Sequence, residues 1–374
     1  MRILHVVTMV DPHGSLGGPL RVSCNQLAEL KKQGHDVLLV AAAEGYADEM
    51  PSEYCGVPVE LFPARRLMRE SFAGVTSPQL LLWLAKHGRI FDVAHIHMAR
   101  DLVTLPAARL LQILRVPTVL QTHGMIDPSS QPLAKPVDAL GTRPAFRAAK
   151  KVLALTKAEA ADLCAVDPRL ASHCVTVVRN GVPMADVAAR PEKPSPDVLF
   201  LARLQERKRP LAFVEAAQRL APRHPEATFT LVGPDEGEAE EVRRRLKVDD
   251  AAGRIRWNGA LPADQTLGRM AKSSVYVLPS RDEPFGMTVL EAMSTGLPVV
   301  VMEDCGLAPE VKASGGGLVA GYGPIELAEM IGRLLESPES RLTMGSAGRT
   351  FVADHATMER IAQQLLDLYR DVAS

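Results

Sequence analysis

Short apolar segments alternating with helical patterns are the feature that most narrows the fold of this chain. Several of these segments are apolar almost throughout, as parallel strands are when helices cover both faces of their sheet. Seven lie in the first half of the chain, at 3–10, 36–42, 57–62, 92–97, 117–123, 151–156 and 174–178. Helical patterns separate them, for example at 20–33 and 102–115. This alternation predicts an α/β fold with doubly wound, mainly parallel sheets.

A proline-rich stretch interrupts the alternation once. Residues 182–197 contain four prolines and little periodicity, a composition typical of a linker. Strand and helix patterns then resume at 197–203 and continue to long helices from about residue 325. Because 374 residues exceed what one core usually supports, we predict two doubly wound Rossmann-like domains, residues 1–186 and 187–356. Such sheets bind ligands beyond the carboxyl ends of their strands, so we expect the active site in an interdomain cleft.

Composition excludes several functional classes. A formal net charge of −1 argues against a nucleic-acid partner. The five cysteines are scattered without a CxxC spacing, which favours reduced thiols in a cytoplasmic protein over disulfides or a zinc site. No apolar run is long enough to span a membrane. The basic and apolar segment 64–69 fits either a peripheral membrane contact or an ordinary solvated face.

Two loops of the first half follow strands and are candidate ligand sites. Gly14, Gly17 and Gly18 lie after the first strand, but their spacing is not GxGxxG, which argues against a nicotinamide cofactor. The glycines fit either close approach of a phosphate or sugar, or a plain turn. His123, in the sequence Thr122-His123-Gly124, ends a strand where this fold places ligands, although single histidines are often structural.

Two cations follow the first strand of the second half. Arg203 ends the strand, and Lys208 precedes a helix that starts at Pro210. Two positive charges beside a positive helix end suit a diphosphate. The alternative is a solvated basic turn, since Arg207 and Arg209 are also present.

Two glutamates eight residues apart mark the segment EPFGMTVLE. Thr288 and Glu291 have the spacing of a capping box, which would explain Glu291 without a ligand. The box does not explain Glu283, nor Phe285-Gly286, where the backbone can approach a ligand closely. Backbone amides at the start of the following helix are also well placed to bind an anion.

These motifs together resemble the retaining glycosyltransferases of family 4, which have the GT-B fold. The resemblance rests on EPFGMTVLE followed by AMSTGLPVV, on GGPLRV, THG, RNGV at 179–182, ARLQERK at 202–208 and CGLAPEV at 305–311, all in the family's usual order. Pro284 departs from the family, in which glycine is commoner. The resemblance covers most of the chain and implies an acceptor-side first domain, joined by the C-terminal helix 357–374, and a nucleotide-sugar-binding second domain.

The resemblance also implies roles for single residues. Arg203 and Lys208 would hold the donor diphosphate, Glu283 would contact the transferred sugar, and Glu291 would accept both ribose hydroxyls. The amides from Phe285 through Gly286 and Met287 to Thr288 would bind phosphate. Gly17 and Gly18 would line the donor–acceptor junction, His123 would contact the sugar or the reaction centre, and Asn180, in RNGV, is a further candidate for substrate binding.

The resemblance implies transfer of a hexosyl-type unit from a nucleotide-diphosphate sugar to an acceptor hydroxyl. We expect no metal and no further cofactor, because preorganised cations and amides can stabilise the leaving diphosphate. The acceptor would be a carbohydrate, lipid-linked or small molecule, most commonly in bacterial cell-surface polysaccharide or glycolipid synthesis. Glycosylation of a secondary metabolite, a sugar-nucleotide epimerase or hydrolase, and a noncatalytic binding subunit stay open as alternatives.

Overall fold

The computed structural model describes residues 1–12, 18–46, 49–67, 72–170, 175–185, 195–248 and 253–374. The chain divides into two compact units. The first unit comprises Met1–Gly181 and Met358–Ser374, and the second comprises Val182–Thr357. Most of the proline-rich stretch expected to be a linker, 186–194, lies outside the described residues.

The first unit is built on an eight-stranded sheet and a separate antiparallel pair, β5 with β6. The sheet order is β10-β9-β8-β7-β1-β2-β4-β3, and every neighbouring pair is parallel except β3 with β4. The strands are β1 (Arg2–Val10), β2 (Asp36–Ala43), β3 (Glu53–Tyr54), β4 (Val57–Pro63), β5 (Arg65–Arg66), β6 (Val75–Thr76), β7 (Val93–His97), β8 (Thr118–Gln121), β9 (Lys151–Ala154) and β10 (Val175–Val177).

Helices connect these strands. They are α1 (Gly18–Lys32), α2 (Pro78–His87), α3 (Thr104–Ile113), α4 (Ala134–Val137), α5 (Arg143–Ala148) and α6 (Lys157–Val166). A π-helical turn, Asp138–Thr142, joins α4 to α5. The second half of the segment 124–142 is helical, although its sequence is polar and contains prolines. Local composition misses this because Ala134, Asp138 and Thr142 are buried by tertiary packing.

The second unit contains a six-stranded sheet in which all neighbouring strands are parallel. Its order is β13-β12-β11-β14-β15-β16. The strands are β11 (Asp197–Leu201), β12 (Thr228–Val232), β13 (Ile255–Trp257), β14 (Val275–Leu278), β15 (Val299–Met302) and β16 (Gly317–Ala320). The helices are α7 (Pro210–Leu220), α8 (Ala239–Val248), α9 (Thr266–Ala271), α10 (Met287–Ser294), α11 (Ala308–Ser314), α12 (Pro324–Glu336) and α13 (Pro338–His355).

Both sheets contain the strand order of doubly wound nucleotide-binding folds. The second sheet begins with β11 at its centre, grows outward on one side through β12 and β13, and then continues from β14 on the other side. In the first sheet, β2, β4 and β3 lie on one side of β1, and β7 to β10 follow in order on its other side. Each unit therefore has a switch point, between β1 and β7 in the first and between β11 and β14 in the second.

The C-terminal helix α14 (Met358–Ala373) packs in the first unit. Its apolar side chains Ile361, Leu365 and Leu366 join one core cluster with Ile3 of β1 and Leu27 of α1. The same helix buries the ring of Tyr369 completely. The apolar stripe of α14 is thus its packing face.

Candidate functional site

The switch point of the second unit brings the predicted charged residues to one edge of the sheet. Arg203 follows β11, and Lys208 lies at the end of a short 3-10 turn before α7. Glu283 lies in the loop after β14, the strand that pairs with β11. Parallel strands expose their carboxyl ends at the same edge, which is where α/β sheets bind ligands.

Lys208 and Glu283 form an ion pair through Nζ and Oε2. The two side chains are only 13% and 8% exposed, and Arg207 places a second cation 3.9 Å from the same carboxylate oxygen. Burial lowers the pKa of Lys208, and the charge of Glu283 opposes that effect. A buried pair of this kind stabilises folding little by itself, but loss of one partner leaves a buried charge. The pair therefore fits a functional arrangement better than a structural one.

The loop around Glu283 is held by its own backbone. The amide of Asp282 donates to Oδ2 of Asp304 at 2.7 Å, and the carbonyl of Glu283 accepts from the amide of Gly306 at 2.8 Å. Asp282 adopts a left-handed conformation with φ of 47°. These anchors fix the position from which the Glu283 side chain extends to Lys208.

Gly286 starts helix α10 in a left-handed conformation, with φ of 87°. A side chain at this position would be strained, and its Cβ would lie 3.2 Å from Cγ2 of Val289 and 3.4 Å from the sulfur of Cys305. The next residue, Met287, is the first of the helix, and Phe285 is buried. The backbone thus turns sharply into the helix N-terminus, whose amides are the candidate anion-binding groups.

The predicted capping box is wrong. Gly286, not Thr288, is the N-cap residue of α10, and Thr288 is already the second residue of the helix. The hydroxyl of Thr288 accepts a hydrogen bond of 2.6 Å from the hydroxyl of Tyr276. Glu291 is therefore the fifth residue of the helix, and only 2% of it is exposed. Because the left-handed Gly286 starts the helix two residues earlier than the capping box requires, capping does not explain Glu291.

Arg203 lies beside the ion pair but has a different partner. Its guanidinium donates to Oε1 of Glu236 at 2.9 Å and is 45% exposed. Its charge contributes to lowering the pKa of Lys208, so the two cations are close enough to interact. The predicted convergence of Arg203 and Lys208 at one edge is thus present, with Arg203 at the surface and Lys208 buried.

The first unit contains the other candidate residues. His123 lies two residues after β8 in a left-handed conformation, with φ of 53°. Asn180 is buried, and its Oδ1 has no hydrogen-bond partner within the described ranges. Gly18 is exposed at the start of α1, whereas Gly17 lies outside the described residues.

Three further histidines surround His123 and were not singled out from the sequence. His97 Nδ1 lies 2.7 Å from His123 Nε2, and His97 Nε2 lies 3.0 Å from His5 Nδ1. His5 Nε2 lies 3.1 Å from the hydroxyl of Tyr369, which lies 2.5 Å from His95 Nδ1. The signal for them was His95-Ile96-His97, because alternate residues of a strand share one face.

A cavity of about 360 Å³ lies at the carboxyl edge of the first sheet. It is lined mainly by apolar side chains, among them Leu102 and Leu105 of the segment after β7 and Val137 and Leu140 of the helical segment 134–142. Leu140 is 83% exposed. The cavity could hold an apolar group near the switch point of this unit.

Two observations concern membranes. None of the described helices is long and apolar enough to cross a bilayer. In the basic segment 64–69, Arg66 forms a bidentate pair with Glu44, in which Nε donates to Oε1 at 3.0 Å and Nη2 donates to Oε2 at 2.5 Å. The carboxylate of Glu44 thus offsets one positive charge of this segment. Residues 68–71 lie outside the described part of the chain.

Two family descriptions match the chain, one in each unit. "Glycosyl transferase 4-like domain" matches residues 17–181, and "Glycosyl transferases group 1" matches residues 186–351. Alpha-maltose-1-phosphate synthase of Mycolicibacterium smegmatis is 30% identical over 62% of this chain and 66% of its own. D-inositol 3-phosphate glycosyltransferase of Kribbella flavida is 31% identical over 68% of this chain and 66% of its own. The chain thus spans slightly less than two thirds of the length of these relatives.

Solved structures share the fold. The Anabaena protein HepE in complex with UDP aligns with a TM-score of 0.79 at 22% identity, over 99% of this chain and 100% of that one. Sucrose-phosphate synthase from Thermosynechococcus elongatus aligns with a TM-score of 0.74 at 19% identity, over 99% and 98%. The family descriptions, the relatives and the fold agree, and the chain belongs to the family 4 glycosyltransferases with the GT-B fold.

Proposed function

We propose that the chain transfers a hexosyl unit from a nucleotide-diphosphate sugar to an acceptor hydroxyl, with retention of configuration. The observation that carries this proposal is the buried Lys208–Glu283 pair at the switch point of the second unit. The pair places two groups beside the N-terminus of α10. The cation can bind a diphosphate, and the carboxylate can accept hydrogen bonds from the hydroxyls of a sugar.

The cations and amides would stabilise the leaving diphosphate. Lys208 is held by Glu283, so its ammonium is oriented before the donor arrives, and Arg203 at the surface can exchange Glu236 for a phosphate oxygen. Amides of 285–288, at the start of α10, would add hydrogen bonds to the same group. Preorganised donors of this kind act most strongly where charge develops during bond breaking. We therefore propose that the reaction requires no metal and no further cofactor.

The two glutamates would bind different parts of the donor. Glu283 uses one oxygen for Lys208, and a carboxylate has further lone pairs that can accept hydroxyls of the transferred sugar. Glu291, buried in α10, would accept both ribose hydroxyls. We do not assign Glu283 as a covalent nucleophile. Retention would instead arise by substitution on the front face, with the leaving phosphate assisting the acceptor.

The first unit would serve the acceptor and the sugar. We propose that His123 contacts the sugar or the reaction centre, that Gly17 and Gly18 line the path of the reacting groups, and that Asn180 binds substrate. The apolar cavity of this unit favours a glycolipid or lipid-linked acceptor, as in bacterial cell-surface polysaccharide or glycolipid synthesis. Such an acceptor would bring the protein to a membrane surface. Glycosylation of an apolar secondary metabolite is the alternative that the same cavity fits.

Donor turnover tests the proposal directly. We expect the purified chain to release nucleoside diphosphate from one member of a panel of UDP-, GDP- and ADP-sugars when an acceptor is present, and to keep its activity in excess EDTA. NMR spectra of the product should show the anomeric configuration of the donor. Inversion of the anomer would refute the retaining mechanism, and loss of activity in EDTA would refute metal independence. Turnover that yields only free sugar or an epimerised donor would favour the hydrolase or epimerase alternative.

The Lys208→Met substitution tests the ion pair. We expect kcat to fall about 100-fold, because the leaving diphosphate loses a preorganised cation. The variant should also be less stable, since Glu283 is left buried without Lys208. The double variant Lys208→Met with Glu283→Gln should recover thermal stability and stay inactive, and Lys247→Met, at an exposed site of α8, is the control. If the single variant keeps wild-type kcat, Lys208 has no role in the chemistry.

The Glu291→Gln substitution tests ribose binding. The amide keeps the size of the side chain but accepts the two ribose hydroxyls less well, so the Kd of the nucleoside diphosphate should rise about 10-fold. Titration calorimetry measures the Kd, and thermal unfolding measures stability. The control is Glu329→Gln, on the exposed surface of α12. A variant that loses stability while its Kd stays unchanged would show that Glu291 is structural.

A further inference from the structure

The buried histidines of the first unit form one continuous hydrogen-bonded chain that ends at His123. From the surface inward, its members are His123, His97, His5, Tyr369 and His95, joined by contacts of 2.7, 3.0, 3.1 and 2.5 Å. The inner four are at most 1% exposed, whereas residue His123 is partly exposed. A ligand can therefore meet the chain only at His123.

A metal site is the obvious alternative, and the ring geometry disfavours it. His5, His95 and His97 form the only group of at least three metal-ligating side chains found in the described part of the chain. The rings of His95 and His97 are stacked, 13° from parallel with centroids 4.6 Å apart. An imidazole binds a metal through a lone pair in the plane of its ring, and two stacked rings share no such plane. The nitrogens are instead spaced for hydrogen bonds to each other and to Tyr369.

A chain of this kind requires neutral imidazoles, each with one N–H donor and one acceptor nitrogen. Burial supplies that state, because it lowers the pKa of His5 to about 3 and holds the pKa values of His95 and His97 well below 6.5. Repulsion between the positive charges of protonated histidines lowers these pKa values further. The inner histidines are therefore neutral at any pH at which such a protein works.

The two contacts of Tyr369 set the direction of the hydrogen bonds. The 2.5 Å contact to His95 Nδ1 is shorter than the usual range for an N–H donor and lies within that for an O–H donor, so we assign Tyr369 as the donor to His95. The 3.1 Å contact to His5 Nε2 fits an N–H donor, so His5 donates to the oxygen of Tyr369. His5 then carries its proton on Nε2 and accepts at Nδ1.

The same direction continues outward to His123. His97 must donate from Nε2 to Nδ1 of His5, which leaves Nδ1 of His97 to accept from Nε2 of His123. The hydroxyl of Ser23 lies 3.1 Å from His5 Nδ1 and can point its hydrogen at that nitrogen, so it is compatible with the same tautomer. His123 is then protonated on Nε2, and its Nδ1 keeps a free lone pair.

We propose that Tyr369, His5 and His97 are positioning residues that fix His123 in its Nε2–H tautomer, with Nδ1 offered as an acceptor to a hydroxyl of the bound sugar. This inference rests on the proposed function for the identity of the ligand, but the tautomer itself is a property of the free protein. It assigns the C-terminal helix a part in the reaction, because Tyr369 lies on α14. A neutral acceptor at Nδ1 would bind a sugar hydroxyl and reject a group that can only accept.

The test uses the full chain labelled with ¹⁵N in its histidines. NMR correlation of ring nitrogens with carbon-bound ring protons shows which nitrogen of each histidine carries a proton. We expect His123 to be a single Nε2–H tautomer in the wild-type protein. In Tyr369→Phe we expect a mixture of both tautomers and a fall of about 10-fold in kcat, with the KM for the nucleotide sugar unchanged within about twofold. The matched control is Tyr54→Phe, which makes the same change against the same core cluster.

A second variant guards against a simple packing defect. His95→Phe removes the acceptor of the Tyr369 hydroxyl, which can then turn to His5 and reverse the chain, so the Nδ1–H form should appear at His123. The proposal is overturned if His123 is protonated on Nδ1 in the wild type, if neither variant changes its tautomer, or if the purified protein contains stoichiometric metal. Should the spectra behave as expected while no nucleotide sugar is turned over, the positioning chain stands and the proposed function fails.

Discussion

Parallel pairing of the strands is the constraint on which the rest of this structure depends. A parallel sheet needs a crossover after every strand, and helices on both faces bury the strands completely. All carboxyl ends then lie at one edge, and the reversal of strand order opens a crevice there. Residues distant in sequence, such as Lys208 and Glu283, meet because β11 and β14 are neighbours in the sheet. The ion pair of the second unit follows from that pairing.

The sequence was sufficient to predict the main strands and the parallel sheets, and to place three charged residues after strands of the second unit. The apolar runs have the length and content of buried strands, and Arg203, Lys208 and Glu283 stand at strand ends where local pattern and topology agree. Strand β16 was missed because it begins in a glycine run. Its Gly317 packs so closely on β15 that an added Cβ would lie 2.0 Å from the carbonyl oxygen of Val299. Only the neighbouring backbone explains that glycine.

Other parts of the site could not be read from one sequence. The start of α10 depends on the left-handed Gly286, and a spacing rule for capping boxes cannot detect that conformation. The contacts among His5, His97 and His123 join positions far apart in the chain, so no local signal links them. Tyr369 adds a contact from the C-terminal helix. The partners of polar groups that meet only through tertiary structure can be identified only once the fold is known.

Hydrogen exchange with and without nucleoside diphosphate tests the central claim most directly, namely that the carboxyl edge of the second sheet binds the donor. The claim predicts that UDP, GDP or ADP slows amide exchange in the segments 203–208 and 283–291, through which the diphosphate and ribose would be held. A nucleotide that binds tightly but protects only other segments, or the failure of all three to bind, would contradict it.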